Sequence, residues 1–155
     1  MGLFDNLFKL PAQPALTIYK PSTEHEAWCA VLIGVMSADG EISDQETDLV
    51  MHQLVYKKKF EGVDIIYHYK NAFYANSKFG GKAIIEEASK IISEEYKATL
   101  FAMVTEIIMI DGDIQESEKK ILEFVAQSLL IDDVTAEKIV SVFNIRFYGN
   151  VVIYN

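Results

Sequence analysis

The sequence predicts an all-α domain of about seven helices, arranged as a pseudo-twofold helical bundle built on two duplicated helix–turn–helix units. Three observations lead there. Apolar residues recur at helical spacing almost without a break from Thr23 onward, and capping residues such as Thr23, Ser43 and Ser93 stand ahead of the runs. Shifting the chain by 72 residues lays Asp39-Gly40-Glu41-Ile42 on Asp111-Gly112-Asp113-Ile114 and Glu46 on Glu118. Finally, 155 residues with 50% hydrophobic side chains are enough to bury one core without disulfides or a structural metal.

The elements follow in order. Residues 1–22 read as an amphipathic arm and a linker holding Pro11, Pro14 and Pro21. Thr23 and Glu26 form a capping box, and Trp28, Val31, Leu32, Val35 and Met36 predict a helix over 24–38 that Gly40 ends. Ser43 and Glu46 open the next helix, which runs to Lys57, Lys58 and Lys59, three cations suited to the negative end of its dipole. An aromatic-rich helix spans 64–79, Gly80-Gly81 breaks it, and a shorter helix covers 82–92. Ser93 caps a helix that is apolar on nearly every side, from Tyr96 to Ile108, and its pattern predicts a central position. Gly112 ends it. A helix over 116–130 and one starting at Asp133 or Thr135 complete the domain at 23–145, and residues 146–155 read as an irregular tail.

Charge narrows the function. The chain carries 14 Lys+Arg against 23 Asp+Glu, a formal −9, so an electrostatic grip on nucleic acid is not expected. Residues 39–48 and 111–118 hold nine acids and no base, so the two turns carry the whole net charge on an otherwise balanced scaffold. The lone Cys29 lies in an apolar run, which fits a buried thiol and a reducing, cytoplasmic setting. That run, residues 27–36, is too short to span a bilayer of about 30 Å, so no transmembrane segment is expected. Residues 1–10 lack a secretory signal, and Asn6 breaks the myristoylation pattern. Leu3, Phe4, Leu7 and Phe8 share one helical face, which suits an arm folded onto the domain or a partner, or a weak touch on a membrane surface.

The duplicated unit, an aliphatic-rich helix, Asp-Gly-x-Ile, three residues, Glu and an amphipathic helix, resembles the tellurite-resistance TerB-like family. The same domain type stands at the start of a membrane-bound J-domain co-chaperone. The likeness covers about residues 23 to 145 and rests on Asp39, Gly40, Ile42 and Glu46 with Asp111, Gly112, Ile114 and Glu118. It implies an all-α fold of about seven helices, no established catalytic activity, membership of a bacterial stress-response system and a divalent-cation role for the acidic residues. The chain departs from that pattern in its aromatic third helix and its tail, and it lacks the His-Pro-Asp signature of a J-domain.

The candidate site is therefore Asp39, Glu41, Glu46, Asp111, Asp113 and Glu118. Asp39 and Asp111 fall where a helix ends, beside free carbonyls and the negative pole of the dipole, so something should compensate them. One reading is structural, with each Asp accepting amides across its turn from the start of the next helix and Glu46 closing back onto the backbone of Ser43. The other is a metal centre for Ca²⁺ or Mg²⁺, which favours carboxylate and carbonyl oxygens. An EF-hand is not the pattern: Gly40 is second in its loop and Val50 stands where the bidentate Glu is needed.

Other chemistry has less to stand on. His25, His52 and His68 have no metal-ligand spacing, and no phosphate-cradling glycine loop or nucleophile elbow occurs. The aromatics Tyr56, Phe60, Tyr67, Tyr69, Phe73, Tyr74 and Phe79 read first as core and second as a partner surface. The expectation is a non-enzymatic stress-response module acting through protein contacts, cytoplasmic or peripheral to the inner membrane. Its partners would be proteins, in a membrane-associated stress complex or a homodimer. The alternatives are a metal-assisted hydrolase and a peripheral membrane adaptor.

Overall fold

Residues 26–36 are buried without exception, so the first helix, α1 (Glu24–Met36), forms the axis of the domain. The computed structural model describes residues 18–151, apart from the side chain of Asp39. Around α1 lie α2 (Asp44–Val55), α3 (Ile65–Phe79), α4 (Gly81–Ser89), α5 (Glu94–Met109), α6 (Glu116–Ser128) and α7 (Asp133–Phe147). Two 3₁₀ turns, Ser37–Asp39 and Lys58–Phe60, follow α1 and α2. The described residues are thus all-α with seven helices, as predicted.

Burial explains which helix is central. A helix apolar on every side has no solvent face, and α1 packs on α3, α4 and α5 at once. Trp28 is fully buried and meets the rings of Phe60 and Tyr96, each 5.5 Å away edge-on. The helix expected at the centre, α5, shares this core through Leu100, Phe101 and Val104 but also carries α6 and α7 on its other side. Two glycines let α4 approach α1. A Cβ on Gly34 would lie 2.6 Å from Ile85 Cγ1 and 2.8 Å from the Gly81 carbonyl oxygen, and one on Gly81 would lie 2.8 Å from the Gly34 oxygen. Only hydrogen fits at that crossing.

The caps at Thr23 and Ser43 form as their side chains predict, with three departures. The first is at Ser93, which precedes α5: its side chain accepts no amide of that helix and donates its hydroxyl to Glu24 at 2.9 Å instead. Thr23 accepts the Glu26 N–H at 3.1 Å, but the buried Glu26 carboxylate turns outward from the box and accepts from Tyr19 Oη at 2.6 Å and Ser22 Oγ at 3.0 Å. It ties the segment before α1 to the helix. The lysine run does not lie in the last turn of α2, which ends at Val55. Lys59 reaches α1 instead, where its Nζ meets Glu24 at 3.0 Å and stands 4.6 Å from the Tyr96 ring centre. A point charge was available to a deeper partner than a helix end.

The chain end also differs from expectation. Residues 146 and 147 belong to α7, Phe147 is buried, and the turn after it packs against the second acidic turn. Residues 1–17 and 152–155, with the amphipathic arm and the last four residues of the expected tail, lie outside the described residues.

Candidate functional site

Each acidic turn is built by a helix end, a glycine and the capped start of the next helix. In the first, the 3₁₀ turn Ser37–Asp39 follows α1, Gly40 takes φ +121°, and Ser43 begins α2. Ser43 Oγ accepts the Glu46 N–H at 3.1 Å and lies 3.2 Å from Glu46 Oε1, to which it donates. In the second, the Gly112 N–H donates to the Met109 carbonyl at 2.8 Å with φ +79°. Asp111 Oδ1 accepts the Asp113 N–H at 3.1 Å, and Glu118 Oε1 accepts the Gln115 N–H at 3.0 Å. The turns match locally, since Glu46 and Glu118 are both third in their helices, where a carboxylate suits the positive end of the dipole.

The fold brings the turns together. The 3₁₀ turn after α1 packs on α6, and α2 packs on α5, so the first turn's helix ends meet those of the second. A cleft of about 270 Å³ lies between them, and Glu46, Asp111 and Glu118 all line it, over a floor that includes Val35, Leu49 and Ile108. Three of the six predicted carboxylates therefore face one space. Glu41 and Asp113 are exposed, and Gln115 Nε2 lies 3.4 Å from Asp113 Oδ2. The Asp39 backbone belongs to the 3₁₀ turn beside the cleft, and its side chain is outside the description.

The donor chemistry suits a hard cation, because carboxylate oxygens are the ligands such ions prefer. The geometry is less closed. Among the described residues, no three His, Cys, Asp or Glu side chains converge closely enough to hold one ion. The carbonyls expected to help at the end of α5 are also engaged: Met109 accepts from Gly112, and Ile110 accepts from Asn150 Nδ2 at 2.7 Å. Asn150, forty residues away along the chain, is the residue that sequence reasoning missed. Its signal lay in a segment without helical periodicity.

The histidines sit at element boundaries. His25 Nε2 lies 2.9 Å from the Lys59 carbonyl oxygen, His68 Nδ1 lies 3.3 Å from Thr23 Oγ1, and their rings stand 5.5 Å apart. The aromatic cluster divides: Phe60 and Tyr69 join the core, whereas Tyr56, Tyr67, Phe73 and Tyr74 are exposed. Among the described residues, no helix is long and apolar enough to cross a membrane.

The class these features define is an all-α domain carrying two capped, acidic helix–helix turns on one cleft. Residues 25–141 match the family described as tellurite resistance protein TerB, and the chain belongs to that family. Searches of curated proteins and of solved structures give no match.

Proposed function

We propose that the domain is a non-enzymatic, tellurite-resistance-like stress-response module that works through protein contacts and takes a divalent cation, Ca²⁺ or Mg²⁺, between its acidic turns. The observation that carries this reading is the shared cleft: Glu46 comes from the first turn, Asp111 and Glu118 from the second, and all three line it. Like charges drawn toward one space with an apolar floor repel one another, and a cation relieves that repulsion. The backbone of Asp39 belongs to the adjoining 3₁₀ turn. The ion would supply no reaction here. It would clamp the start of α2 and the start of α6 to the end of α5, and so set the surface offered to a protein partner.

Calorimetry of the full chain with Ca²⁺, Mg²⁺ and Mn²⁺, paired with thermal unfolding, tests this. Heat of binding and a raised melting temperature are expected at millimolar metal, and both should be lost in Glu46→Gln/Asp111→Asn. No heat and no shift with any of the three ions would reject the cation, and leave the two turns as capping structures alone.

A further inference from the structure

Two histidines from different helices meet where α1 and α3 both begin. The His25 and His68 ring centres stand 5.5 Å apart, with the rings tilted by 37°. His25 is second in α1 and His68 fourth in α3, so each half-buried ring lies near the positive end of its own helix, which disfavours an imidazolium. Their hydrogen bonds suit neutral rings. A carbonyl oxygen only accepts, so His25 Nε2 carries the hydrogen donated to Lys59 and the neutral ring keeps Nδ1 bare. The Thr23 hydroxyl accepts the Glu26 N–H and is able to donate its own hydrogen to a neutral His68 Nδ1. A proton on that nitrogen puts two donors on one oxygen and turns the hydroxyl hydrogen away.

The acids around the pair already have partners. Glu24 accepts from Ser93 and Lys59, Glu26 from Tyr19 and Ser22, and Asp64 from the Tyr67 N–H at 3.1 Å as the cap of α3. Among the described residues, the ion pairs include neither histidine. The charges around the rings are thus Glu24 and Glu26 on α1, the Lys59 cation on the 3₁₀ turn and Asp64 on α3. Tyr67 beside His68, and Tyr19 and Tyr96 beyond Glu26 and Lys59, stay protonated through the acid range. Burial and the charge of His25 hold His68 below its ordinary value of 6.5, against the opposing pull of Glu26 and Asp64.

We propose that His25 and His68 form an acid-sensitive joint between α1 and α3: the fold accepts one proton on the pair, and a second parts the first turn of α3 from the start of α1. That turn carries Ile65 and Ile66, which with Val63 face Met51 and Val55 of α2 across an open, largely apolar groove. Loosening the turn moves this wall, so the joint makes the shape of an exposed apolar surface depend on pH. The sign follows from the lowered His68. The folded pair binds fewer protons than two free imidazoles, so the contact is firmest above about 6.5 and weakens as the pH falls through that value.

Imidazole titration by NMR on the full chain, paired with amide hydrogen exchange, tests the joint. In His25→Gln the His68 midpoint should rise by about half a pH unit, the repulsion of two unit charges 5.5 Å apart in a water-like medium, and His25 should respond alike to His68→Gln. Glutamine at position 25 keeps a donor for the Lys59 carbonyl, so the contact survives without the charge. Between pH 7 and pH 5, the protection of the Tyr67 and Tyr69 amides, corrected for intrinsic exchange and referred to amides of α5, should fall about threefold in the native chain, the factor matching that half unit. The fall should be largely lost in either variant. Midpoints that stay put when the other histidine is replaced overturn the proposal. So does a coupled pair with unchanged protection, which would mean a rigid contact that tolerates both charges, and so does a fall in protection that survives both variants. The exchange result on the native chain stands even where a variant folds poorly.

Discussion

The Asn150 side chain donates to the Ile110 carbonyl at 2.7 Å and so closes the C-terminus of α5 with a residue from beyond α7. The acidic turn at 111–118 is thereby fastened on one side to the cleft and on the other to the end of the chain. Asn150→Ala removes the donor and leaves Ile110 to water. A loss of about 1 kcal/mol in urea unfolding is expected, the size of one exposed hydrogen bond with little desolvation cost. Asn150→Asp, which keeps the shape but not the donor and adds a charge near Asp111, should cost more.

Gly112 is fixed by the same contact. A Cβ there would lie 2.7 Å from the Phe147 carbonyl oxygen, on a backbone at φ +79°. Gly149 has a similar φ, +83°, with nothing within 4 Å. Alanine at Gly149 meets only the left-handed strain of about 1–2 kcal/mol. Alanine at Gly112 meets that strain and must also push the chain end off the turn. The ordering of the two denaturation midpoints checks this, and equal losses would mean that the docking is not held in solution.

Gly34→Ala tests the α1–α4 crossing. Helix propensity alone would make the substitution stabilising by about 1 kcal/mol. The new methyl, however, would sit 2.8 Å from a backbone oxygen of Gly81, which cannot rotate away as a side chain can. Overpacking of about 1–3 kcal/mol should win, so the variant is expected to melt lower. A higher melting temperature would show the crossing to be looser than these distances.

Glu24 gives a pH dependence with a definite sign. Partial burial raises its carboxyl, but the Ser93 N–H at 2.8 Å, Lys59 at 3.0 Å and the Ser93 hydroxyl at 2.9 Å outweigh that and hold it below the ordinary value of 4.5. A carboxylate lowered by folding stabilises the fold above the unfolded value and stops doing so as the pH falls through the lowered one. The stability gap between the native chain and Glu24→Gln should therefore be full at neutral pH and shrink below about 4.5. Unfolding by urea at pH 7 and at stepwise lower pH measures it, and a gap constant with pH would remove Glu24 from the network.

Most helices were legible because their determinants are local. Thr23 before Glu26, Ser43 before Glu46 and Asp64 before Tyr67 place a side-chain oxygen within reach of a nearby amide, and no distant residue has to cooperate. The acidic turns were legible for the same reason, and the 72-residue shift exposed them. The roles of Lys59 and the aromatic run were not. A lysine after a helix can serve the dipole or a buried carboxylate equally well, and an aromatic helix reads alike whether it faces core or groove.

The sequence by itself determined the fold class, the order of seven helices, the two capped turns and the concentration of charge upon them. Tertiary structure decided that α1 rather than α5 is the enclosed axis, that Glu46, Asp111 and Glu118 share one cleft while Asp113 does not line it, and that Asn150 closes the turn. The reason is distance along the chain. Caps and periodicity act within one or two turns, whereas the partners of Glu24 and Ile110 lie 69 and 40 residues away and meet only once the helices have packed.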